Sequence, residues 1–174
     1  MMNYNTMIEM LANKHGETWV YMLQQDTVKD ELGYVKRKEE RENGNAPEYV
    51  YECAIEKIDK VAERIICPAN IKVGDGVTVH LYSDAKAATV IKVTACTVTV
   101  QYDTATLDPN FKPEFVIGGF AGHCTNQNEQ TYTYERDPNG RVESFRWSNK
   151  YGTYGTPNNL RLTKGRHEFY DYNF

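Results

Sequence analysis

Arg136 and Arg141 flank a four-residue turn, Asp137-Pro138-Asn139-Gly140, and Arg146 follows along the same stretch. Tyr132, Tyr134 and Trp147 lie close by, and Tyr151, Tyr154, Tyr170, Tyr172 and Phe174 extend the aromatic content to the end of the chain. A guanidinium is a planar fork that matches phosphate and carboxylate and stacks on rings and bases. Tyrosine offers a large contact area for little rotamer entropy. Arg136, Arg141, Arg146, Trp147, Tyr151, Tyr154, Tyr170 and Tyr172 are therefore the expected binding surface. The plainer alternative is a solvated turn followed by an edge strand. In such a strand Phe169 and Asp171 would face one way and Tyr170 and Tyr172 the other.

Other chemistries find less support. Asp84, Asp103 and Asp108 have the residue type for a metal or an acid/base pair, but each falls at a strand end or turn, where Asp serves the backbone. Gly74-Asp75-Gly76 precedes a strand and lacks a following Lys-Ser/Thr, so it reads as a tight turn and not a phosphate loop. Cys53, Cys67, Cys96 and Cys124 form no Cys-x-x-Cys pair, and His15, His80, His123 and His167 are equally scattered. Free thiols are the expectation. A Gly-x-Ser-x-Gly elbow is missing from the sequence. The expected protein has no catalytic residues, no metal and no cofactor.

The charge distribution narrows the partners. The formal net charge is −4. Residues 1–70 hold nine Lys/Arg against thirteen Asp/Glu, and residues 71–174 hold eleven of each. Phosphate-neutralising proteins generally carry a basic excess. Apolar runs stay well short of the ~18 residues a bilayer span needs. Met1-Met2-Asn3-Tyr4 does not open a signal peptide, so a cytoplasmic location is expected.

These residues need elements to position them. Residues 6–15 predict a helix, with Thr6 and Glu9 as a capping box and Gly16 as the stop. Residues 19–23 are too few to separate strand from helix. Residues 26–38 predict a helix with Val28, Leu32 and Val35 on one face, running into a polar stretch and a loop through Asn43-Gly44-Asn45-Ala46-Pro47. Residues 48–66 predict a helix whose stripe is Val50, Ala54, Ile55, Ile58, Val61, Ala62 and Ile65, with the sheet as its expected partner. Strands are predicted over 77–82, 87–94 and 97–102, the last two joined by Ala95-Cys96. Residues 104–130 read as a long excursion. Residues 131–136 and 141–147 predict a hairpin across Asn139-Gly140, residues 148–159 a loop, and 160–162 and 167–172 short closing strands. The fold class is α+β: a helical segment, 1–68, packed on a small antiparallel β-barrel, 69–174.

Gly74-Asp75-Gly76-Val77, followed by Thr89-Val90-Ile91-Lys92-Val93, resembles the opening of SH3-like barrels. Tyr82-Ser83-Asp84, Ala88-Thr89-Val90, Tyr134 to Gly140 and Tyr170 to Phe174, taken in order, resemble a group of uncharacterised small proteins of phages and mobile elements in Firmicutes. The resemblance covers roughly residues 68–174. It implies context rather than activity: an accessory protein acting in a bacterial cytoplasm. The expected function is non-enzymatic inhibition of a host process, such as an antiviral defence system. The partner would be a host protein or a cyclic or dinucleotide-type ligand. A nucleic-acid-binding SH3-like module and a metal-dependent nucleotide hydrolase are the alternatives, and self-association remains open.

Overall fold

Asn3 decides where the first helix begins. In the computed structural model, which describes residues 2–44, 46–118 and 121–173, the Asn3 side chain accepts from the Thr6 N–H at 2.9 Å and the Thr6 hydroxyl at 3.1 Å. Helix α1 is Tyr4–His15, so the cap is Asn3 and not Thr6. Gly16 ends it at φ 54°, with its N–H on the Ala12 carbonyl. The ambiguous Trp19 stretch is helix α2, Thr18–Met22. Helix α3 is Asp26–Arg41 and α4 is Glu48–Arg64. Asn45 of the intervening loop lies outside the described residues.

Of the stripe read for α4, Val50, Ala54, Ile58 and Ile65 are buried, while Ile55, Val61 and Ala62 are partly buried. Val50, Tyr51, Ala54 and Ile58 of α4 join one cluster with Met7 and Leu11 of α1, Trp19 and Met22 of α2, and Val28, Leu32 and Val35 of α3. The helices thus supply apolar cover to one another. Glu39 reinforces the arrangement. Its carboxylate accepts from the Tyr4 N–H and from the Tyr51 hydroxyl, both at 2.9 Å, and so ties α1 and α4 to α3. The chain divides into two units. The first is 1–70 with 147–153, and the second is 71–146 with 154–174.

The second unit is built on β1 (Gly76–His80), β2 (Ala85–Val93), β3 (Thr97–Tyr102), β4 (Thr104–Leu107), β5 (Phe115–Gly118), β6 (Ala121–Cys124), β7 (Tyr132–Glu135), β8 (Val142–Ser148), β9 (Thr153–Gly155) and β10 (Arg161–Lys164). Six of these close an antiparallel barrel in the order β1-β10-β9-β8-β3-β2. Val77, Val79, Val90, Val98, Val100, Phe145, Tyr154 and Leu162 are buried, as period-2 alternation requires. Gly74 enters β1 through a turn at φ 93°, pinned by the Lys72 N–H on the Asp75 carboxylate at 2.9 Å. The β2–β3 hairpin turns at Ala95-Cys96, and its register shifts between Val90 and Lys92.

Four expectations fail here. The hairpin across Asp137–Gly140 does not form: β7 pairs with β4, and β8 pairs with β3. The turn itself exists, with the Gly140 N–H on the Asp137 carbonyl. Neither Asn139 nor Gly140 takes the positive φ that a two-residue hairpin turn needs. Gly140 serves close approach instead, since a Cβ there would lie 2.1 Å from the Tyr102 carbonyl oxygen. The 104–130 excursion holds secondary structure: β4, the β5–β6 hairpin and a 3-10 turn at Gln127–Glu129. The 148–159 loop contains β9, while residues 167–172 make only an isolated bridge, Ala85 to Phe169.

Two substitutions check this packing. Ile58→Ala empties a fully buried site and should cost about 2–5 kcal/mol in chemical denaturation. Gly140→Ala should cost about 1–3 kcal/mol, because backbone must move to admit the methyl group.

Candidate functional site

An aromatic and apolar patch gathers where the chain's last residues meet the β5–β6 hairpin. Tyr172 lies at its centre. Its ring is edge-on to Tyr170 at 4.9 Å and to Phe115 at 6.3 Å, and tilted against Phe111 at 6.2 Å. Such offset and edge contacts match the ring quadrupoles. Next in β5, Val116 and Ile117 are 58% and 98% exposed, and Tyr170 and Phe115 are about half exposed at 50% and 52%. Phe174 lies outside the described residues, as does Phe120 between β5 and β6.

The tail reaches this position without a strand ladder. The Gln130 side chain donates to the Tyr170 carbonyl at 2.8 Å and accepts from the Tyr170 N–H at 3.2 Å. Gln127 accepts from the Tyr172 N–H at 3.1 Å, and Asp84 from the Asp171 N–H at 2.9 Å. Asn173 accepts from the Cys124 N–H at 2.6 Å and donates to the Cys124 carbonyl at 3.2 Å. Glu168 is buried but satisfied, by Lys86 at 2.7 Å and the Ala87 N–H at 2.8 Å. Beneath the patch, the Tyr132 hydroxyl donates to Gln130 at 2.7 Å. Burial first, then the fields of Tyr172, Glu168, Tyr134 and Asp84, push its phenol up to about 12.

The residues expected to form one binding surface fall in both units. Tyr154 is 0% exposed and faces the barrel core, so it offers no surface. Its place in β9 explains this, because Thr153 and Gly155 take the alternate positions. Trp147 and Tyr151 belong to the first unit. Trp147 lies edge-on to Tyr21 at 5.4 Å and donates to Asn149, and Tyr151 carries the Lys150 ammonium over its ring at 5.0 Å. Gly152 there accepts from the Gln25 side-chain amide. Arg141 pairs with Glu143 at 3.3 Å and lies 5.8 Å over the Tyr102 ring. Arg146 stands opposite Thr97 at the far end of β8, and Arg136 is exposed just past β7. Within the barrel unit, Tyr170 and Tyr172 of the expected set come into ring contact.

The three aspartates each serve the barrel unit's structure. Asp103 accepts from Thr89 and Arg166, Asp108 closes a local turn with Asn110, and Asp84 holds the tail. Among the described residues, no three His, Cys, Asp or Glu side chains are grouped to hold a metal ion. Burial raises the Cys67 thiol, which disfavours a thiolate there. No described helix is long and apolar enough to cross a membrane. Phe111, Phe115, Val116 and Ile117 are the patch members that sequence reasoning missed. Phe115-Val116-Ile117 before Gly118-Gly119 is an aromatic and β-branched run ending in a hairpin turn signal, and could have been found on that basis. No family model matches the chain, nor does any curated protein or solved structure.

The raised Tyr132 phenol sets a pH dependence. An unfolded tyrosine ionises near ~10. The folded protein holds this proton more tightly, so the associated stability is intact below ~10 and is lost as pH rises toward about 12. Tyr132→Phe should lessen that loss in urea melts between these pH values, and should remove one tyrosine's share of the late phase of the tyrosinate absorbance titration, since burial and a neighbouring carboxylate also raise Tyr51 and Tyr102.

Proposed function

We propose that this chain is a non-enzymatic binding protein whose working surface is the β5–β6 hairpin with Tyr170 and Tyr172, and whose target is a protein. One observation carries the reading: Phe115, Val116 and Ile117 are consecutive, apolar, and each more than half exposed. Contiguous exposed apolar surface is an aggregation hazard unless a partner covers it. Aromatic anchors beside it supply the side-chain type that dominates interface energetics. A nucleotide-sequestering site would instead need arginines and tyrosines converging on a pocket. Arg141 is engaged by Glu143 and Tyr102, and five residues of strand separate it from Arg146, about 17 Å.

The meander order with β1 closing on β10 supports the SH3-like reading of the barrel. The resemblance to phage and mobile-element proteins supplies the context. In it the target is a host protein in a bacterial cytoplasm, and the effect is inhibition of a host process such as antiviral defence.

Ile117→Asp tests this directly, because a nearly fully exposed residue contributes little to folding. The wild type and the variant are immobilised, exposed to lysate of a Firmicutes host, and their retained proteins are quantified by mass spectrometry. A specific protein retained by the wild type should fall about tenfold or more with the variant, at an unchanged melting temperature. Equal retention by both proteins would remove the hairpin from the working surface.

A further inference from the structure

The helical unit carries a second recognition feature, independent of the hairpin patch. An open groove of about 460 Å³ runs between α3 and α4. Asp30, Glu31 and Tyr34 line it from α3, and Tyr49, Cys53 and Lys57 from α4. Tyr34 and Tyr49 are 43% and 59% exposed. The groove already holds one cation of its own: the Lys57 ammonium lies 2.7 Å from the Glu31 carboxylate. Glu31 keeps that ammonium above its usual range, with Cys53 and Tyr34 adding to the effect. Asp30, one residue away and exposed, has no ion-pair partner among the described residues. The groove thus retains one uncompensated carboxylate flanked by two aromatic side chains. The segment it belongs to shares the sign, since residues 1–70 as a whole carry thirteen acidic against nine basic side chains.

We propose that this groove docks an arginine-bearing segment of a partner protein. The guanidinium takes Asp30 as its ion-pair partner and stacks on a tyrosine face. Arginine suits the site better than lysine, because its planar fork serves carboxylate and ring together. Charge complementarity selects the occupant. An acidic segment would meet Asp30 and Glu31, and a purely apolar one would bury Asp30 without a partner.

The probe is a fluorescein-labelled hexapeptide of alternating alanine and arginine, titrated into the full chain and followed by fluorescence anisotropy. Saturable binding is expected. Asp30→Asn, Tyr34→Leu and Tyr49→Leu should each weaken it about fivefold. Glu40→Gln makes the same charge change at an exposed α3 position outside the groove, and should leave binding within about twofold. The lysine version of the peptide should bind more weakly. Asp30 is exposed, so Asp30→Asn should keep the wild-type melting temperature and carries the decision if a tyrosine variant melts early. Equal weakening by Glu40→Gln would reduce the effect to a diffuse field. Unchanged binding in the tyrosine variants, displacement by equimolar spermidine, or lack of saturation would each overturn the proposal.

Discussion

The buried carboxylate of Asp103 constrains much of the barrel unit. Its side chain is 1% exposed, and an unpaired charge at such a site costs several kcal/mol. Thr89 donates to it at 2.7 Å and Arg166 Nε at 2.6 Å, while a second Arg166 nitrogen donates to the Thr89 hydroxyl at 2.7 Å. The three side chains form a closed ring of donors and acceptors. It joins β2, the exit of the chain from β3, and the segment after β10. That geometry explains Gly76 as well. A Cβ there would lie 2.8 Å from the Arg166 side chain, so the first residue of β1 must leave room for the guanidinium that neutralises Asp103.

Once Arg166 is fixed, the route of the tail follows. Phe169 exchanges backbone hydrogen bonds with Ala85, and Glu168 turns back to the Ala87 N–H and Lys86. Beyond that point Gln130, Gln127, Asp84 and Asn173 take over the role of a neighbouring strand, supplying side-chain amides and carboxylates where a ladder would supply peptide groups. The N–H groups of Phe169, Tyr170, Asp171 and Tyr172 each find an acceptor in this way. The result is an extended segment that no strand pattern describes, yet it sets Tyr170 and Tyr172 against the β5–β6 hairpin.

What was legible in the sequence was local. The Val50–Ile58 stripe, the Gly16 stop, the Ala95-Cys96 turn and the alternation through 77–102 depend on residues a few positions apart, and each produced the expected element. Pairings set by distant segments were not legible. Asn139-Gly140 carries a strong hairpin signal, but Gly140 is drawn against Tyr102, and β7 finds β4 across the inserted hairpin. The candidate surface was obscured for a related reason. Tyr154 looked like its neighbours in a tyrosine-rich loop until barrel closure turned it inward. Phe115, Val116 and Ile117 were hidden inside a stretch rich in Asn, Gly and Pro, although their own run is strand-like.

The same tail network bears on how the exposed hairpin can act. The base of β5–β6 is held on both sides: the Asn126 side chain accepts from the Glu114 N–H and donates to the Lys112 carbonyl, and Asn173 clamps Cys124. Phe115 at the start of β5 rests against Tyr172. Val116 and Ile117, in contrast, turn their side chains to solvent. A protruding apolar element on a fixed base loses little conformational entropy when a partner covers it, so more of its burial energy appears as affinity. A free loop of the same composition would lose that advantage to ordering. Asn126 and Asn173 therefore fix the base of the apolar strand on which the proposed recognition rests.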